Sequence, residues 1–260
     1  MSKLIISILL MLQTYIACAC ERDIHIAYPP FINLLTINQF FNSMHHQLSL
    51  QTGCNVQYVL NKSFDDVLEG ILNYKYEAIL LPGAYISIAT EMGYQHVATT
   101  KREDVIYIVS RKEFKGGEQQ FSDLDILILD HYSESGAIFK EDMNSKGILS
   151  QVNIRTGGSY DQMILSVVKR QADLAVVIPE YWNLLSPEVR DKHLKIVYQL
   201  KSLPAGMVTL PNSESFSEKL YQVLLQEKGI RWKPPMIAEA KRLPLLEAFI
   251  KRKVAKSLEH

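Results

Sequence analysis

Two serines and a glycine follow an apolar run near the middle of the chain, in the order Ser133-Glu134-Ser135-Gly136. The apolar run at 126–130 predicts a strand, and the residues after the serines predict a helix. Two hydroxyl groups and a glycine amide would therefore converge at a helix N-terminus, where free N–H groups and the helix dipole favour negative charge. This convergence makes the segment a candidate binding site.

Ser63 and Ser159 are predicted to begin two further helices. Each serine is followed by an aromatic residue and an aspartate, and Ser159 is followed at the capping-box spacing by Gln162. A serine at such a position accepts a hydrogen bond from a backbone N–H group of the first helical turn. If both helices start beside one cleft, their N-termini can hold an anion from opposite sides. Helix capping without any ligand is the alternative interpretation.

The segments 63–85 and 159–181 resemble each other when they are aligned without gaps. Each contains an amphipathic helix, an acidic residue, an apolar strand, and a turn with a proline that closes on Tyr85 or Tyr181. The match predicts two similar helix–strand units, whereas chance similarity between amphipathic units is the alternative. Tyr181 would follow a strand, where it lines a cleft or belongs to the core.

Short apolar runs alternate with longer segments of helical periodicity along most of the chain, which is typical of an α/β protein. Helical crossovers between such strands predict parallel pairing. One helix with an apolar face from Ile37 to Leu48 is predicted, and Gly53 ends it. The predicted strands are 23–27, 56–60, 78–81, 105–110, 126–130, 174–178 and 194–200.

The overall composition excludes several classes of function. The chain has 260 residues with 47% hydrophobic content, enough for one large or two modest cores. Its 28 Lys and Arg balance 28 Asp and Glu, so no global positive field attracts nucleic acid. The sequence lacks a nucleophile elbow, a zinc-protease motif and a Walker A loop, and we expect neither catalysis nor a cofactor or metal. The adjacent His45 and His46 point in different directions from one helix and cannot share a metal ion.

The first twenty residues differ from the rest of the chain. A basic residue precedes the apolar run at 4–12, which has about half of the ~20 residues that a membrane-spanning helix needs. Ala17 and Ala19 fit a signal-peptidase site, so we interpret residues 1–19 as a secretory signal peptide. Cys20 after this site permits lipid attachment as in a bacterial lipoprotein, and secretion without lipid is equally open. Either route places the protein in the periplasm or cell envelope.

Removal of the signal peptide leaves only Cys20 and Cys54. The mature chain therefore has at most one disulfide bond, and none if Cys20 is acylated. Near the other end, a helix interrupted at Pro244 is predicted to pack back onto the protein. The final residues 258–260 resemble the start of an expression tag, and no function is assigned to them.

Five short motifs occur in a characteristic order: the helix end 50–53 with Val56, the aromatic-led helix 64–70, the strand and serine loop 125–136, the helix start Gly158-Ser159-Tyr160, and the strand entry 172–175. In this order they resemble the motifs of the phosphate, phosphite and phosphonate-binding proteins of ABC transporters, which have the type II periplasmic binding protein fold. The resemblance extends from Ile24 to about Arg231.

This resemblance implies an extracytoplasmic α/β protein of two lobes that closes on a small ligand, each lobe a mixed, mostly parallel sheet flanked by helices. Lobe 1 would comprise residues 20–103 and 203–257, lobe 2 would comprise 104–202, and two connections would form the hinge. The implied partners are a small-molecule ligand and an ABC transporter permease, and the protein is expected to be a monomer. A periplasmic receptor that signals to a membrane kinase or chemoreceptor is the alternative. Only a lipid on Cys20 would attach the protein to a membrane.

The same resemblance implies the ligand contacts. Ser133, Ser135 and the Gly136 amide match the family's oxyanion-binding loop. Glu180 matches an acidic position that can hold the amino group of an aminophosphonate. Further cleft candidates are Ser63, Phe64, Ser159 and Tyr160 at helix starts, and Tyr181 after a strand.

Glu134 departs from the family pattern, because it replaces a threonine inside the anion loop. A carboxylate about 4 Å from a phosphonate opposes its binding by ~1 to 4 kcal/mol, depending on the local dielectric. Together with Glu180, Glu134 would favour a cationic or amine-bearing ligand over a dianion. In the alternative interpretation, Glu134 stabilises the helix dipole and faces solvent. The expected ligands therefore range from phosphonate-like to zwitterionic.

Overall fold

The computed structural model describes residues 22–101, 105–116, 121–227 and 230–235, together with 243, 244, 246, 248 and 251. The predicted signal peptide 1–19, Cys20, the predicted boundary between residues 103 and 104, and the terminal residues 258–260 lie outside this part of the chain. Most of the predicted terminal helix also lies outside it. Of its described leucines, Leu246 is helical and Leu243 is not, and both are buried.

The described residues form eleven strands: β1 (Ile24–Tyr28), β2 (Val56–Leu60), β3 (Ala78–Leu81), β4 (Gln95–Thr100), β5 (Val105–Arg111), β6 (Asp125–Ile128), β7 (Asn153–Thr156), β8 (Leu174–Val177), β9 (Leu194–Lys201), β10 (Gly206–Thr209) and β11 (Trp232–Lys233). The seven strands that the apolar runs predict are present within one or two residues at each end. The sequence patterns missed β4, β7, β10 and β11. β10 has only four residues and follows Pro204, so its sequence resembles a turn.

The described part of the chain up to residue 235 also contains nine α-helices: α1 (Leu34–Phe40), α2 (Asn42–Thr52), α3 (Phe64–Leu72), α4 (Gly83–Glu91), α5 (Glu134–Ser145), α6 (Tyr160–Val168), α7 (Pro179–Leu184), α8 (Pro187–His193) and α9 (Glu214–Gln226). The single helix predicted from Ile37 to Leu48 is wrong, because the chain leaves helical geometry at Phe41, with φ −123° and ψ −8°. Gly53 ends α2 in the left-handed conformation, as its position predicts.

The strands form two separate sheets, which divide the protein into two lobes. The six-stranded sheet of lobe 1 has the order β11-β4-β10-β3-β1-β2, and the five-stranded sheet of lobe 2 has the order β7-β6-β8-β5-β9. Both sheets are mixed. Parallel pairing is confined to β2-β1-β3 in lobe 1 and to β7-β6-β8 in lobe 2, whereas the other neighbours are antiparallel.

The chain passes between the two sheets twice. β4 lies in the first sheet and β5 in the second, and the chain returns between β9 and β10 through residues 202–205. These two passages follow from the strand order. The exact division at residues 103 and 203 stays a prediction.

Both faces of the first sheet are buried. Along β1, Ile26 and Tyr28 pack in a cluster with residues of α1, α2 and α9, whereas Ala27 packs on the opposite face with residues of α3 and α4. This alternation follows from the two-residue period of a strand. The cluster around Ala27 continues into apolar residues of lobe 2 such as Ile126 and Val176. One continuous apolar cluster therefore lies against both sheets.

The two segments that resemble each other in sequence also have the same local structure. α3 and α6 both have nine residues, β3 and β8 both have four, and a helix with an N-terminal proline turn follows each strand. One unit lies in each lobe. Parallel strands place such helix starts at the carboxyl ends of the strands, where open α/β sheets bind ligands.

Candidate functional site

The α5 start has the turn that its sequence predicts, and Ser133 caps it. The Ser133 hydroxyl donates to the Asp130 carbonyl oxygen at 2.7 Å and accepts from the Gly136 amide at 3.2 Å. Two of the three predicted anion contacts of this loop, the Ser133 hydroxyl and the Gly136 amide, are thus engaged within the turn itself. The first intrahelical bond runs from the Ala137 amide to the Ser133 carbonyl. The earlier amides of this turn need partners outside the helix.

Ser135 lies beside an aromatic pair in lobe 2. Its side chain forms a hydrogen bond with Tyr160, and both residues are buried. The Tyr160 ring stacks on the Tyr181 ring, with centroids 5.0 Å apart and planes 28° from parallel. The Tyr181 hydroxyl in turn donates to Asp161 Oδ1 at 2.5 Å. These contacts bring the starts of α5, α6 and α7 together.

The α6 start differs in detail from the prediction. The Ser159 hydroxyl accepts from the Gln162 amide at 3.2 Å, which confirms the N-cap. The Ser159 amide, however, donates to the Gly157 carbonyl at 2.8 Å, so the reciprocal half of the predicted capping box is wrong. The full capping box occurs instead at α3, between Ser63 and Asp66.

Lobe 1 contributes a second aromatic pair. Phe64, at the first position of α3, stacks on Tyr85 in the first turn of α4, with ring centroids 5.5 Å apart. Both side chains are buried. The Tyr85 hydroxyl donates to the carbonyl oxygen of Tyr132 in lobe 2 at 2.8 Å. Tyr85 therefore links the lobe 1 aromatic pair directly to the loop before α5.

Glu134 forms a second hydrogen-bonded contact between the lobes. Its carboxylate oxygen Oε2 accepts from the Ala84 amide in the first turn of α4 at 2.6 Å. Its second oxygen, Oε1, accepts from the Ser202 hydroxyl at 2.6 Å, and a further bond comes from the backbone of Leu203. The side chain is buried, so the interpretation in which Glu134 faces solvent is wrong.

Burial and nearby carboxylates together shift the pKa values of the groups in this region. Burial raises the pKa of Glu134 above its usual range, although its three hydrogen bonds lower it in part. Burial, followed by the nearby charges of Asp130, Glu134 and Asp65, raises the pKa of Tyr85 well above its ordinary value. Burial and the charges of Glu180 and Glu134 raise the pKa of Tyr160 in the same direction. Glu134 thus acts on tyrosines from both lobes and lies between them.

The structure places the predicted site residues in one region with unequal roles. Tyr160 contacts both Ser135 and Tyr181, and Glu180 lies close enough to influence Tyr160. Ser63, Ser133 and Ser159 act as N-caps of the surrounding helices. Sequence reasoning did not single out Tyr85, Ala84, Ser202 or Asp130 as site residues. The proline turn that ends on Tyr85, matched by the one that ends on Tyr181, is the signal that identifies Tyr85.

Other candidate chemistry finds no support in the described residues. His45 is buried and His46 is exposed, as expected for adjacent positions of one helix. Among the described side chains, no cluster of three His, Cys, Asp or Glu residues could hold a metal ion. No helix in the described ranges has the length and apolar character needed to cross a bilayer.

Comparison with known proteins agrees with this architecture. The model of one protein family, described as ABC transporter, phosphonate, periplasmic substrate-binding protein, matches residues 26–251. PhnD1 from Prochlorococcus marinus in complex with methylphosphonate is a similar solved structure, with 16% identity and a TM-score of 0.73 over 90% of this chain and 99% of that chain.

Two further solved structures have the same fold. A binding protein component of an ABC phosphonate transporter from Pseudomonas aeruginosa has 16% identity and a TM-score of 0.67, over 90% of this chain and 88% of that chain. A Xanthomonas citri protein bound to ATP has 13% identity and a TM-score of 0.68, over 90% of this chain and 99% of that chain. No curated protein matches the sequence significantly.

Proposed function

The chain belongs to the phosphonate periplasmic substrate-binding family of ABC transporters, and on this premise we propose that it captures a small polar solute in the cleft between its lobes. The solute carries an oxyanion or is a zwitterion, and closure of the lobes over it prepares it for delivery to a transporter permease. The observation that carries this proposal is the meeting of helix starts from both lobes around Glu134, Tyr85 and Tyr160.

The lobe 2 side of this cleft supplies the polar contacts. The Ser135 hydroxyl and the first amides of α5, which have no acceptor within the helix, favour an oxyanion, because a helix N-terminus carries partial positive charge. Ser133 and Gly136 hold the turn in shape through the cap. Glu180, beside Tyr160, suits an amino group on the same solute. Together these groups fit a small molecule with charges of both signs.

The lobe 1 side supplies shape and closure. Phe64 and Tyr85 form an apolar wall, and the Ser63 and Ser159 caps set the direction in which α3 and α6 start. Tyr181 supports Tyr160 by ring stacking. Its hydroxyl donates to Asp161 and is therefore engaged within lobe 2. The two passages between the sheets act as the hinge, and ligand binding shifts the equilibrium from open to closed.

The remaining properties follow from the family and the cysteine arrangement. The family consists of substrate-binding proteins, and we propose a monomer without catalytic activity or cofactor that contacts a permease in its closed form. Cys54 is disulfide-bonded. If residues 1–19 are removed, Cys20 is the remaining cysteine of the chain, and a thioether-linked lipid there would compete with the disulfide. We therefore propose secretion to the periplasm without a lipid anchor.

A thermal-shift screen of phosphonates, phosphite, phosphate, amino acids and amines tests this function. A ligand present at 100 times its Kd stabilises the folded protein by about 2.7 kcal/mol, which raises Tm measurably. Ser135→Ala is expected to abolish the shift produced by the compound that scores. Ser145→Ala is the matched control, because Ser145 lies at the other end of the same helix and donates to the Asp142 carbonyl. A Ser135→Ala protein that keeps the full shift would show that the α5 loop is not the binding site.

A further inference from the structure

The Glu134 carboxylate is an anion that the protein places in its own interlobe cleft. Glu134 belongs to lobe 2, as the first residue of α5, but its three hydrogen-bond donors, Ala84, Ser202 and Leu203, lie elsewhere. The Ala84 amide belongs to the first turn of α4 in lobe 1, and Ser202 belongs to the connection between the sheets. Each carboxylate oxygen therefore accepts a hydrogen bond from a donor that lies outside lobe 2.

A buried carboxylate needs such donors, because transfer of an unpaired charge out of water is costly. The chain meets this need with a helix N-terminus, a hydroxyl and a backbone group, a donor set that also suits a phosphoryl oxygen. The side chain is only 7% exposed. An external anion can reach the Ala84 amide and the Ser202 hydroxyl only by displacing Glu134.

We propose that Glu134 is a tethered anion that occupies the oxyanion position between the lobes, and that it determines specificity by excluding phosphonate and phosphate dianions. This inference rests on the proposed function, since it assigns ligand selection to the same cleft. In the closed protein, Glu134 makes the bridge between α5, α4 and the 202–205 connection. A solute that enters the cleft must bind beside this carboxylate, not replace it.

Charge repulsion supports the same conclusion. A dianion that binds the α5 start would lie close to Glu134 and near Glu180, whose charge reaches Tyr160, whereas the charge of Asp130 is offset in part by Lys140. Like charges a few ångströms apart repel each other, and burial strengthens this repulsion because it lowers the local dielectric constant. A zwitterion suffers less from these charges, because its amino group faces the carboxylates favourably.

Calorimetric titration with methylphosphonate and with inorganic phosphate tests the inference. The proteins are the wild type, Glu134→Thr, Glu134→Gln and the control Glu69→Gln, whose side chain is exposed on α3 in lobe 1. We expect the wild type and Glu69→Gln to bind either probe only weakly. Glu134→Thr is expected to bind methylphosphonate at least tenfold more tightly, which corresponds to about 1.4 kcal/mol. Glu134→Gln should show a smaller gain, because it loses the charge but keeps the bulk.

Several outcomes would overturn the inference. Wild-type binding of methylphosphonate as tight as that of Glu134→Thr would show that the carboxylate does not exclude the dianion. The same conclusion would follow if neither Glu134 variant bound methylphosphonate more tightly than the wild type, provided that at least one of them had the circular dichroism spectrum of the folded protein. If neither variant folds, Ser202→Ala replaces them. This variant removes the hydroxyl that donates to Glu134 Oε1, so the affinity for phosphate should change, and an unchanged affinity would overturn the inference.

These outcomes are separable from failure of the proposed function. If the wild type binds methylphosphonate tightly and Ser135→Ala abolishes that binding, the result supports the solute-binding function and contradicts the role of Glu134. If Glu134→Thr gains phosphonate binding while no solute in the thermal-shift screen stabilises the wild type, the result supports exclusion of dianions by Glu134 and contradicts the proposed solute class.

Discussion

The Tyr85 hydroxyl donates a 2.8 Å hydrogen bond to the backbone carbonyl of Tyr132, which joins the first turn of α4 in lobe 1 to the loop before α5 in lobe 2. Burial raises the pKa of Tyr85, so its phenol remains a donor throughout the physiological pH range. The ring is held by its stacking on Phe64. This bond and the Glu134 contacts favour the closed arrangement of the lobes.

Tyr85→Phe should raise the population of open molecules, because it removes this bond but keeps the ring and its stacking. A hydrogen bond of this kind contributes about 0.5–1.5 kcal/mol, which corresponds to a roughly 2- to 12-fold shift in the open-to-closed ratio. Small-angle scattering of the ligand-free protein would detect the shift as a larger radius of gyration. Tyr94→Phe is the control, since its hydroxyl donates to Ile71 within lobe 1. Equal radii for the two variants would contradict the role of Tyr85.

Gly83 at the start of α4 packs against the connection between the sheets. A Cβ atom on Gly83 would lie 2.3 Å from the Leu203 Cβ and 2.8 Å from the Pro204 carbonyl oxygen. Gly83→Ala should therefore force the helix away from this connection and reduce the free energy of unfolding by about 1–3 kcal/mol in urea denaturation.

Gly147→Asn provides a comparison for this result. Gly147 has φ +70° with no heavy atom within 4 Å of a built Cβ, and asparagine tolerates the left-handed region. We expect a change of less than about 0.5 kcal/mol there. A Gly83→Ala protein as stable as the wild type would show that α4 and the connection can separate without cost.

His45 should make the stability of lobe 1 depend on pH. Burial lowers its pKa to about 4, and its Nε2 atom lies 2.8 Å from the Tyr28 hydroxyl. An unfolded chain protonates this histidine near pH 6.5, whereas the folded protein resists protonation. The unfolded state therefore binds more protons below pH 6.5, so stability is complete above that pH and falls as the pH decreases towards 4.

His45→Gln should remove this share of the pH dependence, which amounts to about 3 kcal/mol at most. Glutamine keeps a hydrogen-bonding group for Tyr28 but does not titrate. Urea denaturation at pH 7.5 and at pH 4.5 would measure the difference, and His46→Gln is the matched control because His46 is exposed. Parallel pH profiles for the wild type and His45→Gln would disprove the assignment.

Cys54 should have no free thiol in the secreted protein, because it is disulfide-bonded. Alkylation before and after reduction, followed by peptide mass spectrometry, should label Cys54 only after reduction and should identify Cys20 as its partner. Loss of such a bond typically costs 2–5 kcal/mol, so Cys54→Ser should unfold at lower denaturant concentration. A diacylglyceryl group on Cys20 in the mature protein would contradict both the pairing and the proposed release into the periplasm.

Local patterns in the sequence determined much of the scaffold. The α/β class, seven of the strands, and the helix starts at Ser63, Ser133 and Ser159 were predictable, because strand and helix periodicity and N-caps depend on residues close together in the chain. The break at Phe41 and the short strand β10 were not, since tertiary packing sets both.

The tertiary structure alone decided the role of Glu134. The sequence alone is equally consistent with a Glu134 side chain that faces solvent and with one that faces the cleft. Its donors Ala84 and Ser202 lie 50 and 68 residues away along the chain, and no local pattern links positions so distant. They meet only because the chain passes twice between the sheets and brings the start of α4 and the connection 202–205 against lobe 2. The direction of one side chain, and with it the ligand that the cleft accepts, therefore depends on the packing of the lobes.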